Sequence, residues 1–92
     1  MPASDSRGET LLEFPCRFPI KVMGRNEAGF TELVVAAVRE HAGAIGDGDV
    51  ASRPSRTGRY LAVTVTFTAA SRDQIDAIYR RLSATEQVLY LL

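Results

Sequence analysis

The chain has 92 residues, 46% of them hydrophobic and 24% charged, which suits one small globular domain and leaves too little length for two. Eleven Lys and Arg balance eleven Asp and Glu, so the formal net charge is zero. That argues against bulk attraction to duplex DNA or an anionic membrane, while leaving room for a local patch. Cys16 is the single cysteine, so no intramolecular disulfide forms, and a reducing compartment fits. The first ten residues, MPASDSRGET, are polar, with no apolar signal-peptide core. No apolar run approaches the roughly 18 residues that span a bilayer. The expectation is a cytoplasmic protein with a disordered tail over residues 1–10 and one domain over residues 11–92.

Residues 18–23 read FPIKVM, with Phe18, Ile20 and Val22 alternating with Pro19, Lys21 and Met23. A period of two predicts a half-buried strand. Pro19 lacks a backbone donor and suits the start of that strand, and Gly24 is expected to end it. In RNEAGFTELVVAAVREHAG, helical spacing places Phe30, Leu33, Val34, Ala37, Val38 and His41 on one side, with Gly43 as the stop. Asn26 or the turn at Gly29 starts this helix. AIGDGD, residues 44–49, is turn chemistry. Residues 50–55 form a short strand, and Pro54 assigns it to a sheet edge. A hairpin loop follows over residues 56–59, including Gly58.

Residues 60–68 make the clearest strand. Leu61, Val63, Val65 and Phe67 take one face, and Tyr60, Ala62, Thr64, Thr66 and Thr68 the other. Ser71 and Gln74 then have capping-box spacing, in which each side chain satisfies a backbone donor of the other residue. The helix they open buries Ile75, Ile78, Tyr79 and Leu82, and Arg80 and Arg81 suit its C-terminal dipole. VLYLL, residues 88–92, closes the chain as a strand. The order β-α-β-β-α-β, with one apolar stripe per helix, predicts an α+β, two-layer ferredoxin-like sandwich. The expected antiparallel sheet order is 4-1-3-2, with the strands at Val50 and Val88 at its edges.

"LLEFPCRFPIKVMG", "SRPSRTGRYLAVTVTFTA" and the ending "VLYLL" together resemble the YbeD-like family of small bacterial proteins of unknown function. The resemblance covers about residues 10–92 and implies the same ferredoxin-like fold. It further implies a likeness to ACT-type regulatory domains, such as those of phosphoglycerate dehydrogenase, and so a regulatory role. ACT domains place an Asp-x-Pro-Gly-type turn between first strand and first helix. Here that stretch is Asn26-Glu27-Ala28-Gly29-Phe30, which keeps the glycine and lacks the Asp and Pro.

Candidate sites follow from residue type. Arg53, Arg56 and Arg59, beside and within the hairpin, would hold a phosphate or carboxylate if they converge, and otherwise solvate a loop. Gly24, Arg25 and Gly29 bound a strand-to-helix turn, where free backbone donors collect and an anion would bind. These residues are the site expected for a small anionic metabolite. Tyr60, Thr64, Thr66 and Leu89 mark the sheet face away from the helices, the expected surface for an unidentified protein partner or for self-association. For the last strand, either Leu89 and Leu91 face outward, or Val88, Tyr90 and Leu92 do.

His41 has no second histidine for a metal site, and no nucleophile, base or metal constellation is visible. Neither a catalytic activity nor a cofactor is therefore expected. RNA binding is disfavoured, because only Tyr60 is aromatic on the open face of the third strand, and "TGRYLAV" misses the RNA-recognition pattern. The reading is a non-catalytic regulatory or adaptor module, with an ACT-like metabolite sensor as the alternative.

Overall fold

The computed structural model describes residues 12–92, and the tail expected over residues 1–10 lies outside the described residues. The elements are β1 (Cys16–Arg25), α1 (Phe30–Ala42), a 3-10 turn (Asp47–Asp49), β2 (Val50–Pro54), β3 (Tyr60–Ala69), α2 (Arg72–Ser83) and β4 (Val88–Leu91). All strand pairs are antiparallel, in one four-stranded sheet of order β2-β3-β1-β4. This is the expected ferredoxin-like order, with β2 and β4 at the edges. Both helices pack on one face of the sheet.

β1 and β3 pair without a break from Cys16↔Ala69 to Arg25↔Tyr60. Paired residues share a face. Ile20 with Val65 and Val22 with Val63 therefore lie together under the helices, fully buried. Phe18 and Phe67 stack at a tilt of 56° with ring centres 5.9 Å apart. The helices complete this core with Val34, Ala37 and Val38 from α1 and Ile75, Ile78 and Leu82 from α2.

β1 is longer than alternation alone suggests, running through Gly24 to Arg25. Pro19 is inside a central strand rather than at a strand's start, and the geometry explains why it is tolerated. The Lys21 carbonyl accepts from the Leu92 N–H at 2.9 Å, so Lys21 turns its backbone groups toward β4. By alternation Pro19 faces the same side, but β4 has run out there, so no ladder bond needs its missing donor.

The first helix starts at Gly29, whose φ of 88° is the left-handed conformation that glycine adopts at least cost. Asn26 does not cap it. Its side-chain amide donates to the Gly58 carbonyl at 3.0 Å, tying this turn to the β2–β3 hairpin. His41 is exposed, and Ala42, half-buried, takes the inward position at the helix end. Ser71 caps α2, its hydroxyl accepting from the Gln74 N–H at 3.1 Å. The reciprocal bond departs from the capping box, since Gln74 Oε1 accepts from the N–H of Ala70 at 2.6 Å, not from that of Ser71. Gln74 Nε2 also donates to the His41 carbonyl at 2.8 Å, so one side chain joins the start of α2 to the end of α1.

The helices are joined again by Arg81, which donates to both carboxylate oxygens of Glu40 at 2.9 and 3.1 Å. These hydrogen bonds, followed by the guanidinium charge, hold the Glu40 carboxyl below its ordinary 4.5. A depressed folded value means that the pair stabilises above the unfolded glutamate pKa and that this contribution fades as pH falls through the folded one. Glu40→Gln is expected to lower the melting temperature slightly at neutral pH and to leave it unchanged in acid below the glutamate range. Thermal melts at both pH values check this, and an equal loss at both would show that the ionised pair is not responsible.

Gly24 is the most closely packed glycine among the described residues. A Cβ there would lie 2.5 Å from Phe30 Cε1 and Cζ and 2.6 Å from the Gln87 carbonyl oxygen. One obstacle is backbone, so a rotamer change does not clear the space. Gly24→Ala is expected to cost about 1–3 kcal/mol by overpacking. Urea unfolding measures this, and wild-type stability in the variant would contradict it.

Candidate functional site

The sheet face away from the helices is set by the same ladder. β1 sends Arg17, Pro19, Lys21, Met23 and Arg25 outward, opposite Thr68, Thr66, Thr64, Ala62 and Tyr60 of β3. β2 adds Ala51 beside Thr64 and Arg53 beside Ala62. β4 adds Tyr90 beside Met23.

Neither expected parity of the last strand is observed, because β4 is bulged. Val88 pairs with Gly24 while Tyr90 pairs with Met23, and Leu89 is the extra residue between them. A bulge reverses the alternation from that point on. Val88 and Leu91 consequently both pack on the core, three residues apart. Leu89 and Tyr90 stay outside at 45% and 64% exposure, followed by Leu92 at 67%. Apart from Phe14, these are the exposed large apolar side chains among the described residues. Met23, Tyr60, Leu89 and Tyr90 line a shallow depression of about 340 Å³.

A second depression of about 320 Å³ adjoins it, between Lys21 and Arg53 over a floor of Ala51, Ala62 and Thr64. The structure thus groups Arg53 with Lys21. Arg56 and Arg59 are exposed in the hairpin loop and line neither depression. That loop is closed by the Ser55 N–H donating to the Tyr60 carbonyl at 2.8 Å and the Gly58 N–H to the Ser55 carbonyl at 2.9 Å. Thr64 lines the Lys21–Arg53 depression, while Thr66 lies one step beyond it, opposite Pro19. Lys21 was legible in the alternation of FPIKVM, because Ile20 and Val22 point inward and force it out. Ala51 carried no signal of its own.

At the strand-to-helix turn, Gly24 is filled against Phe30 and Gly29 is exposed. Arg25 faces the open side with Tyr60. The turn's backbone donors are largely spent inside the protein. The Asn26 N–H donates to the Arg59 carbonyl at 2.9 Å, that of Glu27 to Arg25 at 2.9 Å, and that of Phe30 to Glu27 at 3.2 Å. Among the described residues, no cluster of His, Cys, Asp or Glu is arranged to hold a metal ion. None of their helices is long and apolar enough to cross a membrane.

The sequence matches the family described as protein of unknown function (DUF493) over residues 9–92. It is 45% identical to a UPF0250 protein of Leptothrix cholodnii, covering 94% of each chain. It is also 45% identical to a UPF0250 protein of Chromobacterium violaceum, over 97% of this chain and 99% of that one. The chain belongs to this family of small bacterial proteins, the one the YbeD-like resemblance pointed to. Its fold matches the solution structure of protein HP0495 from H. pylori with a TM-score of 0.67 at 10% identity, covering 98% of both chains.

The bulge makes neighbouring residues of β4 unequal. Leu91→Ala removes a half-buried core contact and is expected to cost about 1–2 kcal/mol, somewhat less than a fully buried leucine. Tyr90→Ala, exposed on the open face, is expected to stay within about 0.5 kcal/mol of wild type. Chemical denaturation of the two variants checks the order, and the reverse order would place the bulge elsewhere.

Proposed function

We propose that this protein is a non-catalytic regulatory or adaptor module, which docks another protein on the open face of its sheet. The observation that carries this reading is the concentration of exposed apolar side chains at one place. Leu89 and Tyr90 lie on one edge strand and Leu92 just past its end, with Met23 and Tyr60 beside the first two. Edge strands are ordinarily blunted by charge, and β4 carries none. Apolar surface kept together in this way is typical of a contact surface.

The alternative is an ACT-like sensor with its anionic metabolite at the Gly24–Phe30 turn or at the arginine hairpin. The internal bonds of Asn26, Glu27 and Phe30 leave that turn few donors, which favours contact over sensing there. A cytoplasmic setting belongs to the same reading and rests on the lone cysteine.

Site-specific photo-crosslinking tests it. A photoreactive residue in place of Tyr90 is expected to give discrete protein adducts in cells, and one in place of Asp76 on α2 is not. Sedimentation across concentration separates adducts of a second copy from those of another protein. Equal adduct yields at the two positions, or none at either, would overturn the reading.

A further inference from the structure

We propose that the segment docked on this face is acidic and carries a large apolar side chain, with Lys21 and Arg53 selecting its charge. The proposal rests on the contact reading above and specifies the chemistry of the partner. It starts from the distribution of charge rather than its sum. On the strand positions of the open face, the charged residues are Arg17, Lys21, Arg25 and Arg53, and every one is basic. Arg17 is neutralised at one corner by Asp49, which also accepts from the Gly46 N–H at 3.2 Å. Lys21, Arg25 and Arg53 have no ion-pair partner among the described residues. Since the whole chain is neutral, acidic residues that balance them stand elsewhere, Glu32 and Glu40 on α1 and Asp73 and Asp76 on α2 among them.

Lys21 and Arg53 flank the second depression. They are separated by β3 and offset by one two-residue step, so their Cα atoms stand about 12 Å apart by sheet geometry. Alanine at positions 51 and 62 keeps the ground between them low, and the half-buried Thr64 adds a hydroxyl. Carboxylates on alternate residues of an extended segment repeat about every 7 Å, within reach of two long basic side chains so placed. The row Tyr90–Met23–Ala62–Arg53 then runs directly from the apolar depression to the basic one. A single short segment can fill both.

The other occupants fit less well. Sheet-face RNA readers stack bases on aromatics over the central strands. The central positions here are Lys21, Met23, Ala62 and Thr64, and the tyrosines stand at the margin. A second copy of the chain carries its helix acids on rigid helices rather than on an extended segment, and of these Glu40 is taken by Arg81 and Asp76 lies 3.9 Å from Arg72.

The test is an NMR titration of the 15N-labelled protein with synthetic peptides of equal length, each with one Phe and one Leu, in Glu-rich, Ser/Gln-rich and Lys-rich forms. Oligo-dT is titrated in parallel. The Glu-rich peptide is expected to shift the amides of Lys21, Met23, Ala62 and Arg53 and to bind about tenfold more tightly than the Ser/Gln-rich one. The Lys21→Glu/Arg53→Glu variant, altered only at exposed positions, is expected to melt like the wild type and to reverse the order in favour of the Lys-rich peptide. Equal binding of the Glu-rich and Ser/Gln-rich peptides at this face would overturn the charge selection and leave the contact reading standing. Oligo-dT binding there more tightly than the Glu-rich peptide would replace the proposed partner with a nucleic acid. Shifts from no peptide at all would overturn the proposal, leaving crosslinking at Tyr90 to judge the contact reading separately.

Discussion

The unbroken antiparallel ladder between β1 and β3 is the constraint from which the rest of this structure follows. It holds ten residues of each strand in one register, with no bulge to reverse the faces. A slip of one residue in β1 would carry Ile20 and Val22 into water and Lys21 and Met23 into the core, and a slip in β3 would exchange Val63 and Val65 with Ala62 and Thr64 in the same way. Ile20, Val22, Val63 and Val65 are fully buried, so their removal from water fixes the register firmly. Lys21, Met23, Ala62 and Thr64 are placed on the open face as a consequence. Polar and apolar sides of the candidate surface are thus positioned by core packing, with no interaction of their own required.

Gly24 and the β4 bulge extend this logic to the edge. The Phe30 ring needs the space over Gly24, and the Gln87 carbonyl borders the same space. The chain enters β4 next to this contact, and there the register with β1 shifts by one residue. The shift lets Val88 and Leu91 both seal the core beside α2. It also strands Leu89 and Tyr90 together on the open face, where a regular strand would have separated them. The exposed apolar cluster therefore begins beside the place where the first helix docks, although a 3-10 turn, β2, β3 and α2 separate that helix from β4 in sequence.

Much of this was legible in the residues. Alternation in FPIKVM and in YLAVTVTFT is strict, and the stripes of both helices are clear, so element order, sheet order and the buried face follow directly. What was not legible depended on contacts across the chain. Period-two alternation cannot register a bulge, since the extra residue is defined only against β1. The arginine triplet at 53, 56 and 59 looks like a unit because its spacing is regular. In the structure, Arg53 lies in a strand and the other two in a loop, so its neighbour is Lys21, thirty-two positions away in sequence and two strands away in space. Gln74 reaches Ala70 and His41 for a similar reason, since a carbonyl at the end of α1 stands beside the start of α2 only once both helices are docked.

Net charge illustrates the same limit in electrostatic form. A sum of zero argues against long-range attraction to a polyanion, because opposite charges cancel at a distance. Close to the surface the sum is irrelevant. Screening acts over about 10 Å at ordinary ionic strength, and an α-helix alone is about that wide. The acids on the outer side of α1 and α2 are therefore largely hidden from a partner approaching the sheet. Such a partner meets Lys21, Arg25 and Arg53 with no carboxylate among the strand positions to oppose them. A two-layer fold allows this separation cheaply, since one layer can carry the acids and the other the bases. It yields a neutral molecule whose open sheet face carries only basic residues among its charged strand positions.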